Sequence, residues 1–166
     1  MRYEKPTTVE AATALLAGEG ARGLAGGTDL LGQMRSPVLS PDVLVDIKGI
    51  DATRKITKDA SGYTIGAAVT GAELKEHPTL SKDWPGLVEA ANLIGSTQVQ
   101  GRCSLGGNPC NGSPAADSVP GMIAAGAVAT IAGPKGTRTL PVEDIMLAPR
   151  KLALPAGEFI VSFKIP

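Results

Sequence analysis

Aromatic residues are scarce in this 166-residue chain: one Trp, two Tyr and two Phe. Charge of one sign is also missing, since 16 basic side chains face 16 acidic ones. That balance gives no electrostatic case for sequence-independent binding to nucleic acid or to a membrane surface. The longest small-apolar run, Met122 to Ala132, is about half of the roughly 20 residues that cross a bilayer, and Gly126 interrupts it, so no membrane span is expected. Glu4, Pro6 and Glu10 fall where a secretion signal would be apolar, which makes an intracellular, cytoplasmic protein the expectation. Cys103 and Cys110 are too few for a secreted-type disulfide framework, and with His77 as the single histidine they do not make a zinc site. Both are expected as free thiols. Iron–sulfur ligation, which takes four ligands, is excluded on the same count.

What the chain has in quantity is glycine, 21 residues, and proline, 13. Together they stay below the level that favours disorder, and a 43% hydrophobic, 19% charged composition is that of an ordinary globular unit, one domain or two small lobes. The glycines therefore belong in folded turns. Where side chains are absent, main-chain N–H groups can approach a ligand closely, and an anion such as a phosphate gains most from that approach.

Thr7 and Glu10 are spaced as a capping box, and Val9, Ala12, Leu15 and Leu16 mark an apolar helical face ending near Gly18 and Gly20. Strands are expected at Arg22–Ala25 and Val43–Ile47 around a short helix from Asp29, a small parallel α/β unit. Lys55–Lys58 and Tyr63–Ala67 flank Asp59-Ala60-Ser61-Gly62 as a hairpin, and Thr70 with Glu73 forms a second capping box. Trp84-Pro85 opens a helix over Leu87 to Ile94, which runs into a long loop, Gly95–Pro114. Loops of that length inside a domain are usually functional or disordered, and the residues of this one are not those of a linker. A helix over Ala115–Ala125, a strand pair turning at Gly133-Pro134-Lys135-Gly136, and a last strand with Phe159, Val161, Phe163 and Ile165 alternating complete the chain.

Three glycine clusters stand out. Gly18-Glu19-Gly20-Ala21-Arg22-Gly23 has the spacing of a dinucleotide fingerprint in the wrong context, because it closes a helix and enters a strand. Helix C-caps explain it better. Gly26-Gly27-Thr28-Asp29 follows a strand and precedes a helix: consecutive N–H groups, a hydroxyl and the start of a helix would suit a diphosphate, and a tight turn capped by Thr28 or Asp29 explains it equally well. The third cluster runs from Ser104-Leu105-Gly106-Gly107-Asn108 through Ser113 to Asp117. It reads either as a loop wrapping a phosphate-bearing ligand or as an Ω-like loop with Asp117 at a helix start. Asp117 would repel phosphate and is better placed to accept hydrogen bonds from a ribose, a ribityl chain or a ring N–H. His77, before Pro78, reads as a surface histidine without a partner.

Ala25-Gly26-Gly27-Thr28-Asp29-Leu30-Leu31 together with Ser104-Leu105-Gly106-Gly107-Asn108 and Ser113-Pro114-Ala115-Ala116-Asp117 resemble the paired motifs of the FAD-binding subunit of molybdenum hydroxylases, the family of carbon monoxide dehydrogenase and bacterial xanthine dehydrogenase medium subunits. The resemblance runs from Met1 to Pro166. It implies an α+β, two-lobed FAD-binding fold of the p-cresol methylhydroxylase (PCMH) and vanillyl-alcohol oxidase (VAO) type. A small parallel α/β lobe, residues 1–52, would precede a larger mixed or antiparallel α/β lobe, residues 53–166, and the carboxy-terminal domain of the flavin subunit would be absent. It implies that Gly23, Leu24, Ala25, Gly26, Gly27, Thr28, Asp29 and Leu30 line one FAD loop. Ser104, Leu105, Gly106, Gly107 and Asn108 would supply the other, largely through N–H groups. By the same resemblance Ile94, Asp117 and Ile160 are FAD contacts; periodicity alone makes Ile94 and Ile160 plain core. The first motif has neither histidine nor cysteine, so FAD is expected to be non-covalent. Pro109 stands where the family commonly has Leu or Ile and would remove one backbone donor.

The implied function is an electron-transfer module relaying electrons from iron–sulfur clusters through FAD to NAD+, a quinone or another acceptor. Its partners would be an iron–sulfur subunit and a molybdopterin-binding large subunit in a hetero-oligomer, and no side chain of this chain would be a catalytic acid or nucleophile. A self-contained flavin oxidoreductase and a non-redox nucleotide-binding or assembly module are the competing readings.

Overall fold

The computed structural model describes residues 1–36 and 39–166. Three short strands, β1 (Arg2–Glu4), β2 (Ala21–Leu24) and β3 (Val43–Asp46), form a parallel sheet in the order β1-β3-β2. Helix α1 (Val9–Leu16) makes the crossover between β1 and β2. Its N-cap is Thr8, whose hydroxyl accepts from Ala11 N, one residue later than the Thr7 spacing predicts. The helix closes at Ala17, and Gly20 turns the chain into β2 at φ +69°, so the fingerprint-like glycines are a helix-to-strand turn. β1 is absent from the sequence reading because three half-polar residues carry no period to detect. Helix α2 (Leu30–Gln33) is a single turn.

The remaining long strands build an antiparallel sheet of five: β4 (Ile56–Asp59), β5 (Gly62–Gly66), β6 (Val128–Gly133), β7 (Gly136–Pro141) and the last strand of the chain, Phe159–Ile165. Both expected hairpins are present, the first with its strands shifted by a residue. Between β5 and β6 lie α3 (Gly71–Glu76), α4 (Leu80–Asp83), α5 (Pro85–Asn92), α6 (Thr97–Gln100), α7 (Gly107–Cys110) and α8 (Ser118–Ala124). The Thr70–Glu73 capping box forms in both directions. Pro85 opens α5, where its missing N–H has no helical partner to lose. The long loop contains two helical turns, α6 and α7, and α8 starts three residues later than expected because Asp117 is its N-cap position. His77 has a partner after all: its Nδ1 accepts from Leu80 N at 3.1 Å, closing the turn into α4. A small hairpin, β8 (Met146–Ala148) with β9 (Lys151–Leu152), precedes β10 (Phe159–Ile165).

β10 lies at the centre of the five-stranded sheet, between β5 and β6, and is covered on both faces, which is why its alternation predicts only half of its burial. Ile160, Phe163 and Ile165 pack with Leu74, Leu87, Met122 and Ile131 beneath the helices, whereas Phe159 and Val161 pack with Ala12, Val43 and Val45 of the small sheet. A register shift between Ile160 and Ser162 makes this possible, since an extra residue in one strand reverses which face the following side chains take. The two cores thus meet across one strand. Each fully buried Leu or Ile in them contributes about 1.5–3 kcal/mol.

Candidate functional site

A cleft of about 920 Å³ opens beside β2, the β10 bulge and the long loop. Gly23, Ala25, Gly26, Gly27, Thr28, Asp29, Leu30, Ile94, Ser104, Gly106, Gly107, Asn108, Asp117 and Ile160 all line it. Leu24 and Leu105 do not: they are 8% and 1% exposed, and Leu105 packs in the core beneath the helices.

The first glycine loop leaves the end of β2. Gly27 needs glycine for its φ of +77°. Gly26 needs it for space, because a Cβ there would stand 1.7 Å from the Arg102 carbonyl oxygen, so the two glycine loops touch at this point. The N–H groups of Gly26, Gly27, Thr28 and Asp29 find no partner among the described residues, which leaves a run of donors at the cleft edge. A run of this kind is what binds anions. Helix α2 is too short to add a useful dipole, so the expected contribution of a helix start is minor.

The second loop is built differently. Leu105 N donates to Val69 O at 3.1 Å, Gly106 N to Ala67 O at 2.8 Å, Gly107 N to Ser104 Oγ at 3.1 Å and Asn108 N to Ser104 O at 3.2 Å. Its donors are committed within the chain, and its glycines serve close approach: a Cβ on Gly106 would lie 2.7 Å from Ala67. Gly107 is helical, without a positive φ. Pro109 sits in the first turn of α7, where a missing N–H leaves no helical bond unmade, so the donor loss expected there has no consequence.

Asn108 Oδ1 accepts from Ser118 N at 3.0 Å and Ser118 Oγ at 2.7 Å, taking over the capping of α8. Asp117, at the N-cap position, makes no side-chain cap bond and is exposed on the cleft wall, its carboxylate available to a ligand. Gln33 of α2 donates to Asp29 and, at 3.0 Å, to Asn111 Oδ1, tying the two loops together.

Charge is distributed sparsely. Arg22 and Arg150 are the cations on the cleft wall among the described residues, and of the acids Asp29, Asp117 and Glu158, the last is paired with Arg138 at 2.6 Å. Arg150, at φ +61°, is the non-glycine residue with positive φ among those described; it donates N–H to Gly112 O at 2.8 Å and packs where Gly112 lacks a side chain. Behind the first loop, Lys48 Nζ donates to Ala25 O at 2.5 Å and pairs with Asp46 at 2.7 Å. Burial alone would raise the Asp46 carboxyl; the Lys48 ammonium, the Tyr3 hydroxyl and Lys48 N–H outweigh it and hold the group below its ordinary value. Arg150, Gln33 and Lys48 escape a sequence reading because nothing in their spacing announces a contact made across the fold.

Cys103 is buried and Cys110 is exposed, both as free thiols bordering the cleft. Burial pushes the Cys103 thiol up. The groups around the Cys110 thiol push it up as well, and no cation lowers either sulfur, so neither is poised as a nucleophile. No group of three or more metal-ligating side chains occurs among the described residues.

The family described as "FAD binding domain in molybdopterin dehydrogenase" matches residues 1–166. The chain is 35% identical to the carbon monoxide dehydrogenase medium chain of Hydrogenophaga pseudoflava, over 99% of this chain and 58% of that one. It is 34% identical to the putative xanthine dehydrogenase FAD-binding subunit of Escherichia coli (strain K12), over 99% and 57%. Among solved structures, reconstituted CO dehydrogenase from Oligotropha carboxidovorans superposes with a TM-score of 0.95 at 32% identity, covering 100% of this chain and 59% of that chain. A UDP-N-acetylenolpyruvylglucosamine reductase from Thermus caldophilus, at 17% identity and TM-score 0.56, shares the fold alone. The chain therefore spans less than two thirds of the length of these relatives, and the expected PCMH/VAO-type architecture is the one observed. Over its whole length, this chain belongs to the family of FAD-binding domains of molybdopterin dehydrogenases.

Proposed function

We propose that the cleft holds FAD non-covalently, with the diphosphate on the first glycine loop, and that the chain is the flavin module of a molybdenum-containing hydroxylase. The observation that carries this reading is the run of N–H groups from Gly26 to Asp29, without a partner among the described residues and belonging to residues that line a cleft whose other wall is stripped of a side chain at Gly106. The cleft volume of about 920 Å³ lies at the upper end for ligand pockets, as a dinucleotide requires. In this reading residues 23–30 and 104–108 border the cofactor, Leu24 and Leu105 through their backbones. Asp117 accepts hydrogen bonds from its hydroxyls or ring N–H, and Ile94 and Ile160 give the ring apolar contact. Residues 1–52 and 53–166 act as the two lobes.

When bound, FAD supplies the redox chemistry, the relay of electrons from iron–sulfur clusters to NAD+, a quinone or another acceptor. The residues of this chain bind and orient: backbone donors of the first loop neutralise the diphosphate, and the packed second loop sets the cleft width. No side chain at the cleft needs to move a proton. The iron–sulfur and molybdopterin cofactors belong to partner subunits in a cytoplasmic hetero-oligomer; no helix among the described residues is long and apolar enough to cross a membrane. Titration of the purified protein with FAD, followed by flavin fluorescence, tests the reading: saturable one-to-one quenching is expected, and absence of binding by the folded protein overturns it. Copurification with an iron–sulfur chain and a molybdopterin chain tests the partners.

A further inference from the structure

We propose that Lys48 is a positioning residue for the first glycine loop, held in place by Asp46 and Tyr3, and that it aims the Gly26 N–H at the ligand. The proposal rests on the reading of the cleft as an FAD site and names what shapes its diphosphate subsite.

The geometry begins at the end of the parallel sheet. Leu24 and Asp46 are register partners, so β2 and β3 end side by side, and the chain turns away from both. Asp46 is 3% exposed and accepts three hydrogen bonds: from Tyr3 OH on β1 at 2.5 Å, from Lys48 N at 2.9 Å and from Lys48 Nζ at 2.7 Å. This carboxylate is fully engaged, and it pins an ammonium at one place. Lys48 Nζ then reaches across the gap between the strand ends to Ala25 O at 2.5 Å.

Ala25 O and Gly26 N–H belong to one peptide unit. A trans peptide is planar, so its carbonyl and its N–H point in opposite directions. An ammonium that holds the carbonyl on the sheet side therefore turns the N–H to the other side, and Gly26 N–H is the first donor of the unpartnered run. A cation on the carbonyl also polarises the peptide and strengthens that N–H as a donor. Glycine at position 26 has no side chain of its own to fix the orientation of this peptide. The restraint comes instead from the far side, through three residues on β1, β3 and the turn after β3. Lys48 itself makes no contact with the ligand in this scheme; its charge is already balanced by Asp46.

The test compares FAD with riboflavin, which lacks the diphosphate, in wild type, Lys48→Met, Lys48→Arg and the double variant Asp46→Asn/Lys48→Met, all checked by thermal melting. The double variant removes both charges together and so leaves no buried ion unpaired. Lys48→Met and the double variant are expected to weaken FAD binding about tenfold or more, the effect of misdirecting a charge-assisted bond. Riboflavin binding should stay unchanged, and Lys48→Arg should restore FAD binding to within about threefold of wild type, which a merely structural role would not do. Unchanged FAD affinity in the folded double variant overturns the proposal, as does an equal loss for riboflavin. If folded wild type binds no FAD, the flavin reading itself fails and this inference with it; if wild type binds FAD and the variants bind equally well, only the positioning role fails.

Discussion

Replacing Gly26 by Ala is the most demanding perturbation of the cleft, because it adds one methyl where the two glycine loops touch. The methyl would sit 1.7 Å from the Arg102 carbonyl oxygen and 2.6 Å from its carbon, both backbone atoms that no rotamer change can remove. Ordinary carbon contacts begin near 3.5 Å, so the loops would have to separate by roughly 1.5–2 Å. Forced separation of this kind costs about 1–3 kcal/mol of stability, the usual range for overpacking. In a chain of this size that lowers Tm by roughly 2–12 °C. Binding should suffer more than folding. A displacement of that size takes N–H donors out of the 2.7–3.2 Å window, and each bond lost to a charged phosphate is worth about 1.5–3 kcal/mol. Loss of two such bonds predicts FAD affinity lower by about a hundredfold or more.

The assay is flavin-fluorescence titration beside thermal melting, with Gly32→Ala as the control. Gly32 lies in α2, a few residues along the same segment, and a Cβ there meets nothing within 4 Å. That substitution should stabilise the protein by about 0.5–1 kcal/mol, the helical preference of Ala over Gly, and leave FAD affinity alone. A folded Gly26→Ala protein that binds FAD as tightly as wild type would refute the contact between the loops as the feature that shapes the site.

Three further outcomes are expected. Asn108→Ala should destabilise the protein by about 1–2 kcal/mol, since Asn108 caps α8 through Ser118, whereas Asp117→Asn should leave melting within about 0.5 kcal/mol and weaken FAD binding about tenfold; the reverse pattern in paired melting and titration experiments would return the cap to Asp117. Gly107→Ala should be milder in both respects than Gly26→Ala, because its φ is not positive and its Cβ meets only Ser104 Oγ at 3.0 Å; an equal loss of FAD affinity would show that the second loop offers more than close approach. Asp59 is held at about 2 by the Ser61 hydroxyl, Lys164 and Ser61 N–H. Its folded pKa lies below the ordinary 3.8, so its contribution is complete above that value and is lost as pH falls towards about 2. Asp59→Asn should lose stability less steeply than wild type in that window of an acid titration, and parallel curves would contradict the assignment.

The glycine loops were legible in the sequence because the features that mark them are local. Gly-Gly between a strand and a helix announces a tight turn with a left-handed residue, and Gly27 takes that place at φ +77°. The parallel pairing of β2 with β3 follows from an intervening crossover too long for a hairpin. The β8–β9 hairpin was not legible: its strands are three and two residues long, and Arg150 occupies a left-handed position where Gly or Asn would have announced the turn. The bulge at Val161 was hidden for a different reason. A strand buried on both faces loses its alternation as a signal, so an extra residue changes no visible pattern.

The division of labour between the loops could not be read at all, because it depends on which N–H groups are already taken. Gly26-Gly27 and Gly106-Gly107 are the same dipeptide, yet the second pair spends its donors on Ala67 and Ser104 while the first keeps its own. The difference arises from their neighbours. Gly106 runs beside residues 67–69, whose carbonyls are there to accept, and the isolated bridge between Thr70 and Ser104 fixes that alignment. Gly26 meets a carbonyl oxygen too, that of Arg102, but on its Cα side rather than on its N–H. One contact satisfies a donor, the other only narrows a gap. A pair of identical motifs thus gives one donor loop and one spacer, and the placement of Lys48 behind the donor loop, where a carbonyl needed holding, falls in with that asymmetry.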